Sequence, residues 1–232
     1  GPVYAHLTSP ENTFTDTDIT IGEIYEYKLH DVYHDMAFAY FCSGMKAPLT
    51  ESRGKLLLVV ESDIAPHLSA ELDRLALDMT GDGWTVIRRE FARDGVGKPA
   101  DLKAMIQSEY EADPANLKSV LLFGHLPIAK SGWSNPDGHF YAPRATDLYY
   151  GDMVGTWTDS TVNQPKSGGS GYPPNVPGDG IWDQNILPAD RMTLEIGRVD
   201  MAKLPIFEAP EVELYKRYLD KDHNYRTGAF HV

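Results

Sequence analysis

"KLLLVVES", residues 55–62, is an unbroken apolar run of strand length closed by Glu61 and Ser62. A strand that is apolar on both faces belongs in a sheet covered from both sides, which is the setting of parallel strands in α/β proteins. The residues that follow agree. "SAELDRLALDMTGDG" (69–83) puts Leu72, Leu75 and Met79, with Leu68 just before them, at helical spacing, with Ser69 as N-cap and a glycine-rich stop. "WTVIRREF" (84–91) reads as a second strand, "KPADLKAMIQSEYEADP" (98–114) as a second helix bracketed by Pro99 and Pro114, and "KSVLLFG" (118–124) as a third strand. "MTLEIGRVDM" (192–201) and "APEVELYKRYLDKDHNYR" (209–226) add a strand and a helix with Val212, Tyr215 and Leu219 on one face.

A β-α-β-α-β series with right-handed crossovers predicts an α/β fold built on a mainly parallel, doubly wound sheet with helices on both faces. In such sheets ligands collect beyond the carboxyl ends of the strands. Asp63, Asp94 and His125 follow the first three strands and belong near that edge, either as site residues or as polar strand ends.

Upstream, residues 1–48 read as a small β-rich segment. "DITIGEIYEYKL" carries β-branched and aromatic residues with Gly22 as a turn or bulge, and "DMAFAYFCSGM" alternates around a second strand. "APLTESRG" (47–54) is the junction, so the α/β domain is predicted over 49–232, with a long acidic loop at 125–190. Loops of that length are usually functional or disordered. Within it "NQPKSGGSGYPPNVPGDG" (163–180) has the composition of a flexible linker.

Composition removes several functions. A net charge of −13 with no dense Lys/Arg cluster argues against a nucleic-acid partner. No apolar run approaches the ~20 residues of a membrane-spanning helix. The single cysteine, Cys42, permits neither an internal disulfide nor a cysteine-based zinc site, and its apolar alternation predicts a buried strand thiol. There is no H-E-x-x-H, no G-x-S-x-G and no phosphate-binding glycine motif, so zinc hydrolase, serine hydrolase and nucleotide-binding readings lack support. His139, in "NPDGHFYAP", sits in a turn-rich segment and faces either a cleft or water. The start of the chain has no basic and apolar leader, as expected of an internal piece or of a chain from which a signal peptide was removed.

The acidic flanks of the long loop carry the sharper signal. Asp147 and Asp152 in "DLYYGD", and Asp179 and Asp183 in "GDGIWD", alternate with glycines and turns that leave carbonyls free. Such hard oxygen donors suit calcium, which tolerates irregular coordination by ~6–8 oxygens. The same Asp-Gly pairs also form plain turns.

"KLLLVVES", "SVLLFGHLP", "ATDLYYGDMVGTWTD", "VPGDGIWDQ" and "LEIGRVDMAKLPIFEAPEVELYKRYLDKDHNYR", in that order, resemble the front half of a gingipain-type cysteine peptidase domain. The family pattern is an apolar strand ending in Gly, a D-x-Y-Y-G-D segment, an acidic loop, a (V/I)-G-R strand and a long helix rich in Tyr, Lys and Glu. The resemblance covers about residues 55–232 and implies a caspase-like fold, secretion or a cell-surface location, a protein or peptide substrate, and a catalytic His and Cys supplied by the C-terminal remainder of the same polypeptide. No catalytic residue transfers to this chain: "FGHLP" lacks the glycine that follows the family histidine, and Cys42 lies upstream of the domain. "FTDTDITIGEIYEYKL" with "MAFAYFCSGMKAP" resembles the last strands of a fibronectin type III domain, short of the ~100 residues of a whole sandwich. The alternatives are a non-catalytic, calcium-stabilised surface or adhesion module and, third, a carbohydrate-active enzyme that uses the loop aromatics and aspartates.

Overall fold

A computed structural model describes residues 13–31, 33, 37–47, 51–134, 138, 142–162, 175–185 and 191–229. His139 lies outside the described residues. The chain divides into two compact units, Gly1–Glu51 and Ser52–Val232.

The first unit holds two antiparallel strands, β1 (Tyr25–His30) and β2 (Phe38–Ser43), in a register that places Tyr27 opposite Phe41. Those two rings stack with centroids 5.1 Å apart, the cross-strand pairing that stabilises a two-stranded ribbon. Cys42 lies on β2 as its alternation predicts, but it is exposed rather than buried, because among the described residues no second layer covers this ribbon.

The second unit is α/β. Four strands, β3 (Gly54–Glu61), β4 (Trp84–Phe91), β5 (Leu117–Phe123) and β6 (Glu195–Val199), form one all-parallel sheet in the order β4-β3-β5-β6. Side-chain alternation along β3 explains why its apolar run is continuous. Leu56, Leu58 and Val60 face one layer, where they meet Leu68, Leu72, Leu75 and Met79 of the first helical segment and Tyr215 and Leu219 of the last helix. Leu57 and Val59 face the other layer, with Leu102 and Ile106 of the second helix and with Tyr149 and Tyr150. Each fully buried Leu or Val is worth about 1.5–3 kcal/mol, so the strand serves both cores at once.

The helices are α1 (Ser69–Gly81), α2 (Pro99–Ala112), the single turn α3 (Leu148–Gly151) and α4 (Glu211–Arg226). Pro99 occupies the first turn of α2, where its missing N–H costs nothing. Ser69 does not cap α1. A short 3-10 turn, Ala65–Leu68, runs straight into the helix, so Leu68 takes the cap position and Ser69 is already helical. The "LYYG" turn had no periodicity long enough to be read as helix. Among the described residues no helix is long and apolar enough to cross a membrane.

The strand order reverses direction between β3 and β5. The chain leaves β3 toward β4 on one side and returns past it to β5 on the other, which opens a crevice at their carboxyl ends.

Candidate functional site

Glu61 closes β3 at that crevice and is fully buried. A buried carboxylate persists only with paired charge and hydrogen bonds, and Glu61 has both. Its Oε1 accepts from Arg93 Nη1 at 2.7 Å, and its Oε2 accepts from the backbone N–H of His125 at 2.7 Å. Arg93 also donates to both oxygens of Glu211, at 2.9 Å each, and so ties the start of α4 to the end of β3. The Glu211 carboxylate lifts the Arg93 guanidinium above its ordinary range against the pull of burial, with Glu61 adding to the lift.

Gly124 makes the approach of β5 to Glu61 feasible. Its φ of +111° is one that side chains rarely adopt, and a Cβ there would lie 2.4 Å from the Cβ of Glu61. The chain then delivers His125, which is 6% exposed. Its Nδ1 lies 2.8 Å from Oδ2 of Asp200, the residue that follows β6. Asp200 is itself fixed: Oδ1 accepts from the N–H of Ala202 at 2.9 Å and from the Tyr215 hydroxyl at 3.5 Å, while that hydroxyl accepts from the N–H of Met201 at 2.9 Å. A carboxylate only accepts, so Nδ1 donates to it, and the acidic partner orients the ring.

The other ring nitrogen, Nε2, is buried without a hydrogen-bond partner. Its nearest charged neighbour is Asp94 Oδ2 at 3.8 Å, beyond hydrogen-bond range. Asp94 follows β4, accepts from the N–H of Ile128 at 3.2 Å through Oδ1, and donates its own N–H to the carbonyl of His125 at 2.7 Å. His125 and Asp94 line a cleft of about 500 Å³ with Lys98, Lys130, Asp179 and Lys203. A histidine with one nitrogen held by a carboxylate and the other facing a cleft can exchange a proton with a ligand or hydrogen-bond to it. Of the three residues expected at this edge, Asp94 and His125 are here, whereas Asp63 is exposed in the turn after β3.

The two acidic flanks of the long loop meet through aromatic rings. Tyr149 stacks on Trp182 with centroids 4.7 Å apart and meets Trp157 edge-on at 5.1 Å. Each aspartate singled out for metal binding already has protein donors. Both oxygens of Asp147 accept from Arg198 at 2.8 Å. Asp152 is fully buried and accepts from the Gly155 N–H at 2.7 Å, from Trp157 Nε1 at 3.0 Å and from Arg191. Burial pushes the Asp152 carboxyl up, but these donors outweigh it and hold the group below its ordinary range. Asp179 accepts from the N–H groups of Val176 and Ile181, and Asp183 from those of Ser160 and Thr161. Among the described residues no three His, Cys, Asp or Glu side chains gather as a metal ion requires. As arranged, these four carboxylates accept from loop N–H groups and from arginines.

Arg198 completes the link between motifs. Besides Asp147, its guanidinium donates to the carbonyls of Leu126 at 2.8 Å and Pro127 at 3.1 Å, the residues just past His125. Burial pulls Arg198 down and Asp147 raises it by more, so it stays a cation. Beneath the α3 turn, Lys103 of α2 donates to the carbonyls of Tyr149, at 2.7 Å, and Asp152. Burial lowers this ammonium to about 8, opposed by the charge of Asp152.

The pairing of His125 with Asp200 is absent from the sequence reading, which placed His125 at the sheet edge without a partner. The signal was there: Asp200 directly follows β6, His125 comes one residue after the end of β5, and β5 and β6 are neighbours. Compared with known proteins, the chain matches no family model, no curated protein and no solved structure.

Proposed function

We propose that residues 52–229 are the sheet-forming half of a caspase-like, gingipain-type cysteine peptidase domain, with the nucleophilic thiol and its activating imidazole supplied by sequence beyond Val232. One observation carries this reading. The D-x-Y-Y-G-D segment and the G-R strand, two pieces of the resemblance, are bound to each other through the doubled Asp147–Arg198 hydrogen bonds. Residues 51 positions apart thus form one unit, which gives the motif residues a joint physical task. That task is to hold the loop after β5 on the end of β6, and so to shape the crevice where a doubly wound sheet takes its ligands.

On this reading the 232-residue chain contributes the sheet and part of a substrate wall, and is silent alone. In the completed domain a thiolate activated by a neighbouring imidazole attacks the peptide carbonyl. Calcium belongs to the proposal only with a rearrangement, because Asp179 and Asp183 would exchange their loop N–H donors for the cation. The test is to assay this chain, and the chain extended through the rest of its reading frame, on a fluorogenic peptide library. The proposal expects turnover by the extended protein alone, abolished by iodoacetamide. Absence of turnover from the extended protein, or turnover insensitive to thiol alkylation, contradicts it.

A further inference from the structure

The cleft beside His125 is richer in cations than the rest of this acidic chain. Lys98, Lys130 and Lys203 line it, in a protein whose net charge is −13. Among the described residues the lysine ion pairs are those of Lys55 and Lys216, so the three cleft ammonium groups have no carboxylate within range. The two aspartates of the cleft are engaged by backbone donors, Asp94 by Ile128 and Asp179 by Val176 and Ile181. Lys203 is also held at a φ of +55°, in the left-handed region that few side chains occupy.

The second observation is independent of the lysines. The side chain of His125 is 8% exposed, and its Nε2 has no hydrogen-bond partner. Asp200 holds the opposite nitrogen and is not part of the cleft wall, whereas Asp94, nearest to Nε2, is. Nε2 therefore lies on the Asp94 side of the ring, the side on which the cleft lies. A buried polar atom left unpaired is costly, and a ligand that pairs it recovers that cost.

The geometry points to this cleft as a binding site for the phosphate or carboxylate group of a small ligand, with His125 Nε2–H and the ammonium groups of Lys98, Lys130 and Lys203 as donors. Hydrogen bonds from charged donors to such groups are roughly twice as strong as neutral ones. With Nδ1 donating to Asp200, Nε2 carries a hydrogen only in the doubly protonated ring, and that form is the one that donates to the anion. Asp94 limits the approach: its Oδ2 stands 3.8 Å from Nε2, so the anion enters from the lysine side. This site does not depend on the peptidase reading, and either can fail without the other.

The experiment is a titration of the whole chain with sodium phosphate and, separately, with sodium succinate, with chloride at equal ionic strength as the control. The His125 ring nitrogens are followed by long-range 1H–15N NMR. Saturable movement of the His125 signals is expected with at least one of the two anions, and the preferred anion tells whether the natural ligand carries phosphate or carboxylate. The double variant Lys130→Met/Lys203→Met should bind about tenfold more weakly or worse, as expected for loss of charge-assisted bonds. Lys98→Met serves if the double variant does not fold. Lys216→Met, whose lysine pairs with Glu71 outside the cleft, should bind as the parent does. The proposal is overturned if His125 responds no more than it does to chloride, or if the lysine variants bind with unchanged affinity.

Discussion

Asp200 Oδ2 lies 2.8 Å from His125 Nδ1, across 75 residues of sequence, at the carboxyl ends of two neighbouring parallel strands. The contact is built from both directions. On one side Gly124 lets Glu61 take the N–H of His125, and on the other Tyr215 and the N–H of Ala202 fix Asp200. The imidazole is held on its Nδ1 side and left free at Nε2.

Arg93 is the charge on which this corner depends. It faces a fully buried Glu61 and a half-buried Glu211, and removing one partner of a buried ion pair leaves the other uncompensated. Arg93→Met is expected to destabilise the chain by about 3–5 kcal/mol, read from urea unfolding midpoints. Loss below about 1 kcal/mol would mean that Glu61 has another source of compensation.

Much of the fold was legible because it rests on local periodicity. The apolar run of β3 announced a sheet with two covered faces, and the spacing of Leu68, Leu72, Leu75 and Met79 announced α1. The network at the crevice was not legible, since it joins Glu61, Arg93, His125, Asp200 and Glu211 over separations that no local pattern encodes. The partners of the acidic loop were hidden for a related reason. Asp147 and Asp152 read as candidate cation ligands in the sequence, and the arginines that meet them, Arg198 and Arg191, arrive from far down the chain.

Lys103 sets the alkaline profile. Its folded value is about 8 against 10.5 for a free lysine, so between these pH values the unfolded chain binds more protons than the folded one. Stability therefore rises with pH across that window, and the cost of burying the charge is fully present below pH 8. Burial pushes Tyr149 up to about 12, which reverses the slope above the ordinary tyrosine value of about 10. Urea midpoints at pH 7.5, 8.5 and 9.5 should climb in the parent, by roughly 1–2 kcal/mol after allowance for partial solvent screening. The climb should flatten in Lys103→Met. An equal climb in both proteins would assign it to another group.

Asp147→Asn removes one charge of a doubled hydrogen bond and leaves Arg198 partly unpaired. A loss of about 2 kcal/mol is expected, the same in calcium and in chelator, because the partner is an arginine. Thermal melts in both buffers check this. A calcium-dependent rise in Tm that disappears in Asp179→Asn would instead establish the cation site that the acidic segments suggest, worth about 2.7 kcal/mol at a hundredfold excess over Kd.

The most direct measurement is the tautomer of the His125 ring, read from long-range 1H–15N correlations under conditions in which the ring is neutral. The account expects the proton on Nδ1, facing Asp200, with Nε2 bearing the lone pair toward the cleft, and a shift toward mixed tautomers in Asp200→Asn. A proton on Nε2 in the parent protein, or a spectrum indifferent to Asp200→Asn, would contradict the account: Asp200 would not be orienting the ring, and the crevice would hold a buried histidine instead of a prepared site.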